Sequence, residues 1–226
     1  MCGRFTLQSP ADDIRYLFDL EDPVDLPPRY NIAPTQDVAC IVRPRGEDRR
    51  RLRMMRWGLV PFFAKDPSVG SRMINARSET VAEKSSFREA FQRRRCLVVA
   101  DGFYEWEKTA AGKQPWHIRR KDRGVLAFAG LFERWRPSSG RALETCTIVT
   151  TRANELVLPL HDRMPVVLDV RHFDLWLDPE EGSPALLLPL LTPCASVEME
   201  AVRVSRLVNS PANDDPRCLE PAGISG

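Results

Sequence analysis

Nineteen prolines are scattered through 226 residues, and they hold the chain to short regular elements more firmly than any other feature of the sequence. A proline removes a backbone donor and fixes φ, so it stops helices and is kept out of interior strands. From Asp22 to Pro34, the prolines Pro23, Pro27, Pro28 and Pro34 predict an extended stretch without long regular structure. Runs of β-branched and aromatic residues bounded by Gly, Pro, Asp or Asn read as strands at Val38 to Val42, Cys96 to Ala100, Trp116 to Arg119, Val125 to Phe132, Cys146 to Thr150, Pro165 to Leu168 and Val202 to Val208. Ser9 as N-cap and Pro10 at the first helical position introduce a helix from Ala11 to Leu20, with Ile14, Leu17 and Phe18 on one face. A second helix is expected from Glu79 to Gln92 with a break near Ser85-Ser86, and short ones at Asn154 to Leu158 and His172 to Leu177. The charged stretch from Arg43 to Arg56 reads as a hairpin or surface loop. Residues 209–226 form a Pro-, Asp- and Gly-rich tail, expected to lose order from about residue 212. Strands scattered among short helices, with no internal repeat, predict an α+β fold. The expectation is a single domain over 1–226, with a mainly antiparallel, barrel-like β-sheet core and short flanking helices.

Composition excludes several function classes. Apolar residues make up 43% and charged residues 28%, values of an ordinary globular chain, and no apolar run approaches the roughly 18 residues of a membrane span. The net charge of +2 does not by itself imply a polyanionic partner, yet 28 of the 33 basic residues are arginine. Two explanations stand side by side: bidentate phosphate contact and base stacking, for which a planar guanidinium is suited, or codon bias in a GC-rich genome. The six cysteines show no CxxC pair, no signal peptide precedes them, and the three histidines lack metal-site spacing. A reducing cytoplasm, no metal and no cofactor are expected. Cys40, Cys96 and Cys146 lie in apolar strand patterns and read as buried, inert thiols. The runs Arg49-Arg50-Arg51 and Arg93-Arg94-Arg95 read as solvated faces.

Cys2 follows the initiator Met1 directly. A small second residue permits methionine removal, which would leave cysteine as the terminus with an amine of reference pKa about 7.7–8.0 and a thiol of about 8.5. Such a 1,2-aminothiol condenses with an aldehyde to an imine, which the thiol closes to a five-membered thiazolidine, a product more durable than a Schiff base.

Six ordered segments give that placement a context: Cys2-Gly3-Arg4-Phe5, Tyr30-Asn31-Ile32-Ala33-Pro34-Thr35-Gln36, Arg56-Trp57-Gly58-Leu59-Val60-Pro61, Asn75-Ala76-Arg77-Ser78-Glu79-Thr80, Gly102-Phe103-Tyr104-Glu105-Trp106 and His161-Asp162-Arg163-Met164-Pro165. The series resembles the SRAP family, named for SOS-response-associated peptidases and known as suicide crosslinkers of abasic DNA. The resemblance runs from Cys2 to about Pro211. It departs where the family often has a Trp after the WGL-hydrophobic-P segment and this chain has Phe62-Phe63.

The resemblance implies capture of abasic sites in single-stranded DNA through a thiazolidine on Cys2 after Met1 is lost, with self-removal of Met1 as an associated thiol peptidase activity. It implies that Cys2 is the crosslinking residue, surrounded by Asn75, Glu105 and His161. The chemistry asks for such groups: opening the deoxyribose hemiacetal, dehydrating the carbinolamine and adding the thiol each move a proton. Glu105 is the expected shuttle, its pKa raised by desolvation. His161 is expected to orient the sugar or phosphate and Asn75 to hold the Cys2 amine or the opened sugar. Arg4, Arg77 and Arg163 flank these positions and are the expected phosphate contacts; Phe62 and Phe63 are candidates for base stacking, as is Trp57, for which core packing is the competing reading. The expected partner is single-stranded DNA containing abasic sites, with the protein a monomer in the cytoplasm, on the nucleoid when bound to DNA, and without a membrane. Two other classes remain open. Met-Cys-Gly also begins amidotransferases whose terminal cysteine attacks an amide, and a non-covalent module for modified DNA would leave Cys2 structural.

Overall fold

The computed structural model describes residues 2–110, 112–137 and 140–222. Its strands are β1 (Phe5–Leu7), β2 (Arg29–Ile32), β3 (Asp37–Val42), β4 (Arg51–Trp57), β5 (Asn75–Arg77), β6 (Arg95–Ala100), β7 (Gly102–Thr109), β8 (Gly112–Arg120), β9 (Leu126–Trp135), β10 (Leu143–Arg152), β11 (Arg163–Pro165) and β12 (Met199–Arg203). The helices are α1 (Ala11–Phe18), α2 (Arg88–Arg93), α3 (Phe173–Leu177) and α4 (Pro184–Leu187).

Five strands close a barrel. β4, β3, β6, β9 and β10 pair antiparallel in that order, and the ring shuts where β10 meets β4 in parallel at Thr145↔Arg56 and Cys146↔Trp57. Closure leaves these strands without free edges. β10 runs past the ring and carries β5 in parallel and β11 antiparallel. A second sheet, ordered β12-β8-β7-β1-β2, lies against the barrel. Phe5 of β1 meets Trp57 at 5.1 Å and Phe128 at 6.0 Å between ring centroids, and Phe103 of β7 meets Phe128 at 6.1 Å. Each edge-on pair adds about 0.5–1.5 kcal/mol beyond area burial, so this aromatic seam joins the two sheets. The α+β, barrel-like architecture read from the sequence is the one found.

Several elements differ from expectation, each for a local reason. Ser9 does not cap α1: its hydroxyl bonds Asp101, Pro10 takes the cap position, and the helix ends in the left-handed Asp19. The proline-rich stretch hides β2, which ends just before Ala33-Pro34. Arg43 to Arg56 is the turn and second arm of a hairpin, with β4 paired to β3 from Asp37↔Arg56 to Val42↔Arg51. Only Arg88–Arg93 of the second expected helix is helical, because Thr80 to Phe87 folds into successive turns. Asn154 to Leu158 is a turn closed by the Asn154 carbonyl and side chain rather than a helix. The strand expected at Pro165 to Leu168 is β11, shifted to Arg163–Pro165. The one expected at Val202 to Val208 is β12, after which Arg206–Asn209 coils into a 3-10 helix.

Residues 212–222 do not trail away. The Asp214 carboxylate accepts the backbone N–H groups of Tyr30 and Asn31 at 2.6 and 2.8 Å, and Cys218 is buried against Tyr104; residues 223–226 lie outside the described residues. Arg49, Arg50 and Arg51 pair with surface carboxylates, as a solvated face should. The run Arg93 to Arg95 is otherwise. Arg95 is buried and donates to the carbonyls of Phe91, Trp176, Asp178 and Glu181, so it ties α2, α3 and the following loop to the barrel.

Candidate active site

Cys2 lies just ahead of β1, and pairing with β7 continues beyond the strand through the Tyr104 N–H donated to the Arg4 carbonyl at 2.9 Å. Alternation along β7 puts Glu105 on the same face as Phe103, which is the face turned to the barrel. Asn75, the first residue of β5, is placed by parallel pairing with Ile148 of β10. Its side-chain amide donates to the Cys2 carbonyl at 2.8 Å. Its Oδ1 is buried without a hydrogen-bond partner among the described residues, an acceptor aimed at nothing the fold supplies.

The electrostatics follow from burial. Glu105 is 4% exposed, and desolvation pushes its carboxyl up to about 7. Cys2 is fully buried in this Met1-bearing chain; desolvation first and the Glu105 charge second hold its thiol well above the ordinary range. The charge of Asp162 also raises the Glu105 carboxyl. His161 is half-buried, and desolvation lowers its pKa. Its Nδ1 accepts the Arg163 N–H at 2.9 Å, which assigns the ring proton to Nε2. The 2.8 Å approach of Asp162 Oδ1 to the same nitrogen is an ion pair only for a protonated ring. The lowered pKa and the backbone donor both favour the neutral ring, and the exposed Asp162 carboxylate is free to turn to water. Asn75 thus meets the Cys2 backbone, and the Glu105 charge acts on the Cys2 thiol. A buried acid near neutrality and an amide acceptor beside a cysteine can move protons about a carbonyl carbon. Among the described residues no cluster of His, Cys, Asp or Glu could hold a metal.

The expected DNA contacts divide. Trp57 is a correction: it is fully buried, its indole N–H donates to the Ile74 carbonyl at 2.8 Å and its ring packs on Phe5, so it cannot stack on a base. Phe62 and Phe63 are 53% and 54% exposed and meet edge to face at 5.3 Å. Their loop is fixed from both sides. Trp135 donates to the Ala64 carbonyl at 2.7 Å, and Gly58 crosses Gly70 so closely that a Cβ on Gly58 would sit 2.6 Å from the Gly70 oxygen. Arg77 is exposed and makes no ion pair among the described residues. Arg4 instead donates to Asn31 Oδ1 at 2.7 Å and the Val208 carbonyl at 3.0 Å, with its guanidinium over the Trp106 ring. Arg163 is held bidentately by Glu79 at 2.6 and 2.9 Å and also bonds the Thr150 carbonyl.

Sequence reasoning missed these anchors. Glu79 stood in a quoted motif but read as a helix residue. Asn31, whose amide reaches the carbonyls of Val208, Ser210 and Asn213, lacks any local pattern that would give its partners 177 to 182 positions away.

Comparison with known proteins places the whole chain. The family described as SOS response associated peptidase (SRAP) matches residues 1–211. The abasic site processing protein YoqW of Bacillus subtilis is 45% identical over 224 residues, covering 97% of this chain and 99% of that one. The abasic site processing protein HMCES of Gallus gallus is 36% identical, covering 86% of this chain and 66% of its own. A crystal structure of a Bacteroides thetaiotaomicron protein superposes with a TM-score of 0.84 at 28% identity, covering 98% of this chain and all of that one. The chain belongs to the SOS response associated peptidase (SRAP) family.

Proposed function

We propose that this protein captures abasic sites in single-stranded DNA by forming a thiazolidine on Cys2 once Met1 has been removed. The observation that carries the reading is the convergence of Asn75, on the Cys2 carbonyl, and of Glu105, poised near neutrality, on one buried cysteine. The names of the relatives, abasic site processing proteins, support it.

The raised thiol pKa orders the steps. The terminal amine is the first nucleophile and adds to the aldehyde carbon of the ring-opened sugar; Glu105 as the acid protonates the carbinolamine oxygen, water leaves, and an imine remains. That imine is left protonated on nitrogen; the thiol adds to its carbon while the thiol proton passes to the Glu105 carboxylate, closing the ring with the nitrogen neutral. A carboxyl near 7 is populated in both forms at neutral pH and serves both steps. The neutral His161, with Nε2–H, is suited to donate to a sugar or phosphate oxygen, and Asn75 Oδ1 to accept from a sugar hydroxyl. Arg77 supplies a phosphate contact, and Phe62 with Phe63 a stacking surface, none of which reads base sequence.

The test is incubation of the Met1-processed protein, checked by intact mass, with single-stranded DNA bearing one abasic site, followed by a denaturing gel. An SDS-stable band for the processed protein, absent with Cys2→Ala and with a form retaining Met1, is the expected result. No band, with release of glutamate from glutamine or cleavage of a peptide, overturns capture in favour of a hydrolase. A salt-sensitive gel shift without a band reduces the protein to a non-covalent binder.

A further inference from the structure

On the face of β7 opposite Glu105 lies a polar cluster that no step above uses. The Thr6 hydroxyl donates to Asp101 Oδ1 and lies 3.0 Å from His117 Nε2. All three residues are buried, Thr6 and His117 fully. Asp101 Oδ2 accepts the backbone N–H of Gln8 at 2.5 Å and of Ser9 at 2.9 Å. The single hydroxyl proton goes to the carboxylate, so Nε2 must be the donor to the Thr6 oxygen. His117 Nδ1 is then a buried acceptor without a partner among the described residues, a cost the fold tolerates at no other histidine.

We propose that Asp101, Thr6 and His117 form a latch that sets the register of β1 on β7 and thereby positions Cys2 against Glu105; the inference rests on the capture reading above. β1 has only three residues, too few for its ladder to define a register, and its pairing with β2 is irregular between Phe5 and Leu7. A slip of one residue moves a strand by about 3.3 Å and turns every side chain to the other face. The latch forbids that slip. Thr6 sits opposite Gly102, and Tyr104 opposite His117, so the imidazole crosses the β7 backbone at Gly102 to reach the hydroxyl. A Cβ on Gly102 would lie 2.1 Å from His117 Nε2, which gives the glycine opening the Gly-Phe-Tyr-Glu-Trp segment a physical role. Asp101 comes from the β6–β7 turn and His117 from β8, so two other elements fix the segment that leads back to Cys2.

Thr6, His117 and Asp101 are positioning residues, and the experiment separates positioning from folding and from DNA affinity. The adduct-formation rate is measured at saturating abasic single-stranded DNA. Affinity is measured by anisotropy on the same oligonucleotide carrying tetrahydrofuran, which has no aldehyde. Thr6→Val and His117→Leu are expected to slow adduct formation about 10- to 100-fold, as displacements near 1 Å do, with affinity unchanged within about twofold on that scale of effect. Thr6→Ser and His117→Gln, which keep the hydroxyl and a donor at the same reach, are expected to restore most of the rate. The Thr6→Val/His117→Leu double variant is expected to be no slower than the slower single one. Should Thr6→Val fail to fold, the His117→Leu and His117→Gln pair decides. A Thr6→Val rate equal to wild type, a parallel fall in rate and affinity, or failure of both conservative variants to rescue overturns the latch. Absence of any wild-type adduct overturns the capture reading itself and is distinguished by that control.

Discussion

The side-chain amide of Asn75 donates to the backbone carbonyl of Cys2 at 2.8 Å, so a residue at the start of β5 orients the peptide unit that carries the proposed nucleophile. The other half of that amide, Oδ1, is buried without a partner among the described residues. Asn75→Ala is therefore expected to slow adduct formation by roughly tenfold, the worth of about one hydrogen bond, with little change in thermal stability. Single-turnover gels and a melting curve check this; an unchanged rate would remove Asn75 from the site.

Glu105 makes a prediction about stability as well as rate. Its carboxyl, near 7 in the fold, would titrate near 4.5 when unfolded. The unfolded chain releases this proton first as pH rises. The contribution is thus fully present below 4.5 and is lost as pH climbs through 7, by about 3 kcal/mol. Glu105→Gln should then be more stable than wild type at pH 8 and close to it at pH 4, while adduct formation loses its inflection near neutrality. Urea titrations at both pH values test the first part, and equal differences at both would refute it.

His117 titrates in the opposite sense. Burial first, then Arg119 and Arg123, lower its pKa to about 3 from an ordinary 6.5. Its contribution is present above 6.5 and is lost as pH falls toward 3, by about 4 kcal/mol. Acid unfolding of wild type should steepen across that window, and His117→Gln should flatten it; circular dichroism against pH decides.

The aromatic residues separate core from surface. Trp57→Ala should destabilise by about 3–5 kcal/mol, since it empties the seam between barrel and second sheet. Phe62→Ala and Phe63→Ala should leave stability within about 0.5 kcal/mol and weaken single-stranded DNA binding by about 1–3 kcal/mol per lost stack. Equal binding by the double variant would remove the stacking surface.

The arginines divide likewise. Arg77→Ala should weaken binding evenly across sequences and reduce the salt slope by about 0.7. Arg163→Ala should act mainly on stability, by about 1 kcal/mol, because it removes the bidentate pair with the solvent-screened Glu79, whose pKa is held low by the guanidinium, and the bond to the Thr150 carbonyl. Salt-titrated anisotropy beside melting curves distinguishes the two. A lost salt slope with unchanged melting for Arg163→Ala would place it on phosphate.

Sequence by itself determined the class of fold and nominated the residues of the proposed site. Strand runs such as Cys96 to Ala100 were legible because alternation and β-branching are local signals, and Cys2, Asn75, Glu105 and His161 could be nominated because each stands in a dense ordered segment. Tertiary structure decided what each side chain faces. Trp57 and Phe62 lie five residues apart, yet one is sealed in the aromatic seam and the other stands in solvent. Arg77 and Arg163 look alike in sequence, and only the approach of Glu79 to Arg163 tells them apart. Thr6, Asp101 and His117 carry no local pattern at all, since hydrogen bonds between residues 95 and 111 positions apart depend on how strands register across a sheet. Periodicity reports which face of an element is apolar. Which distant group meets that face is settled only when the sheets close and pack.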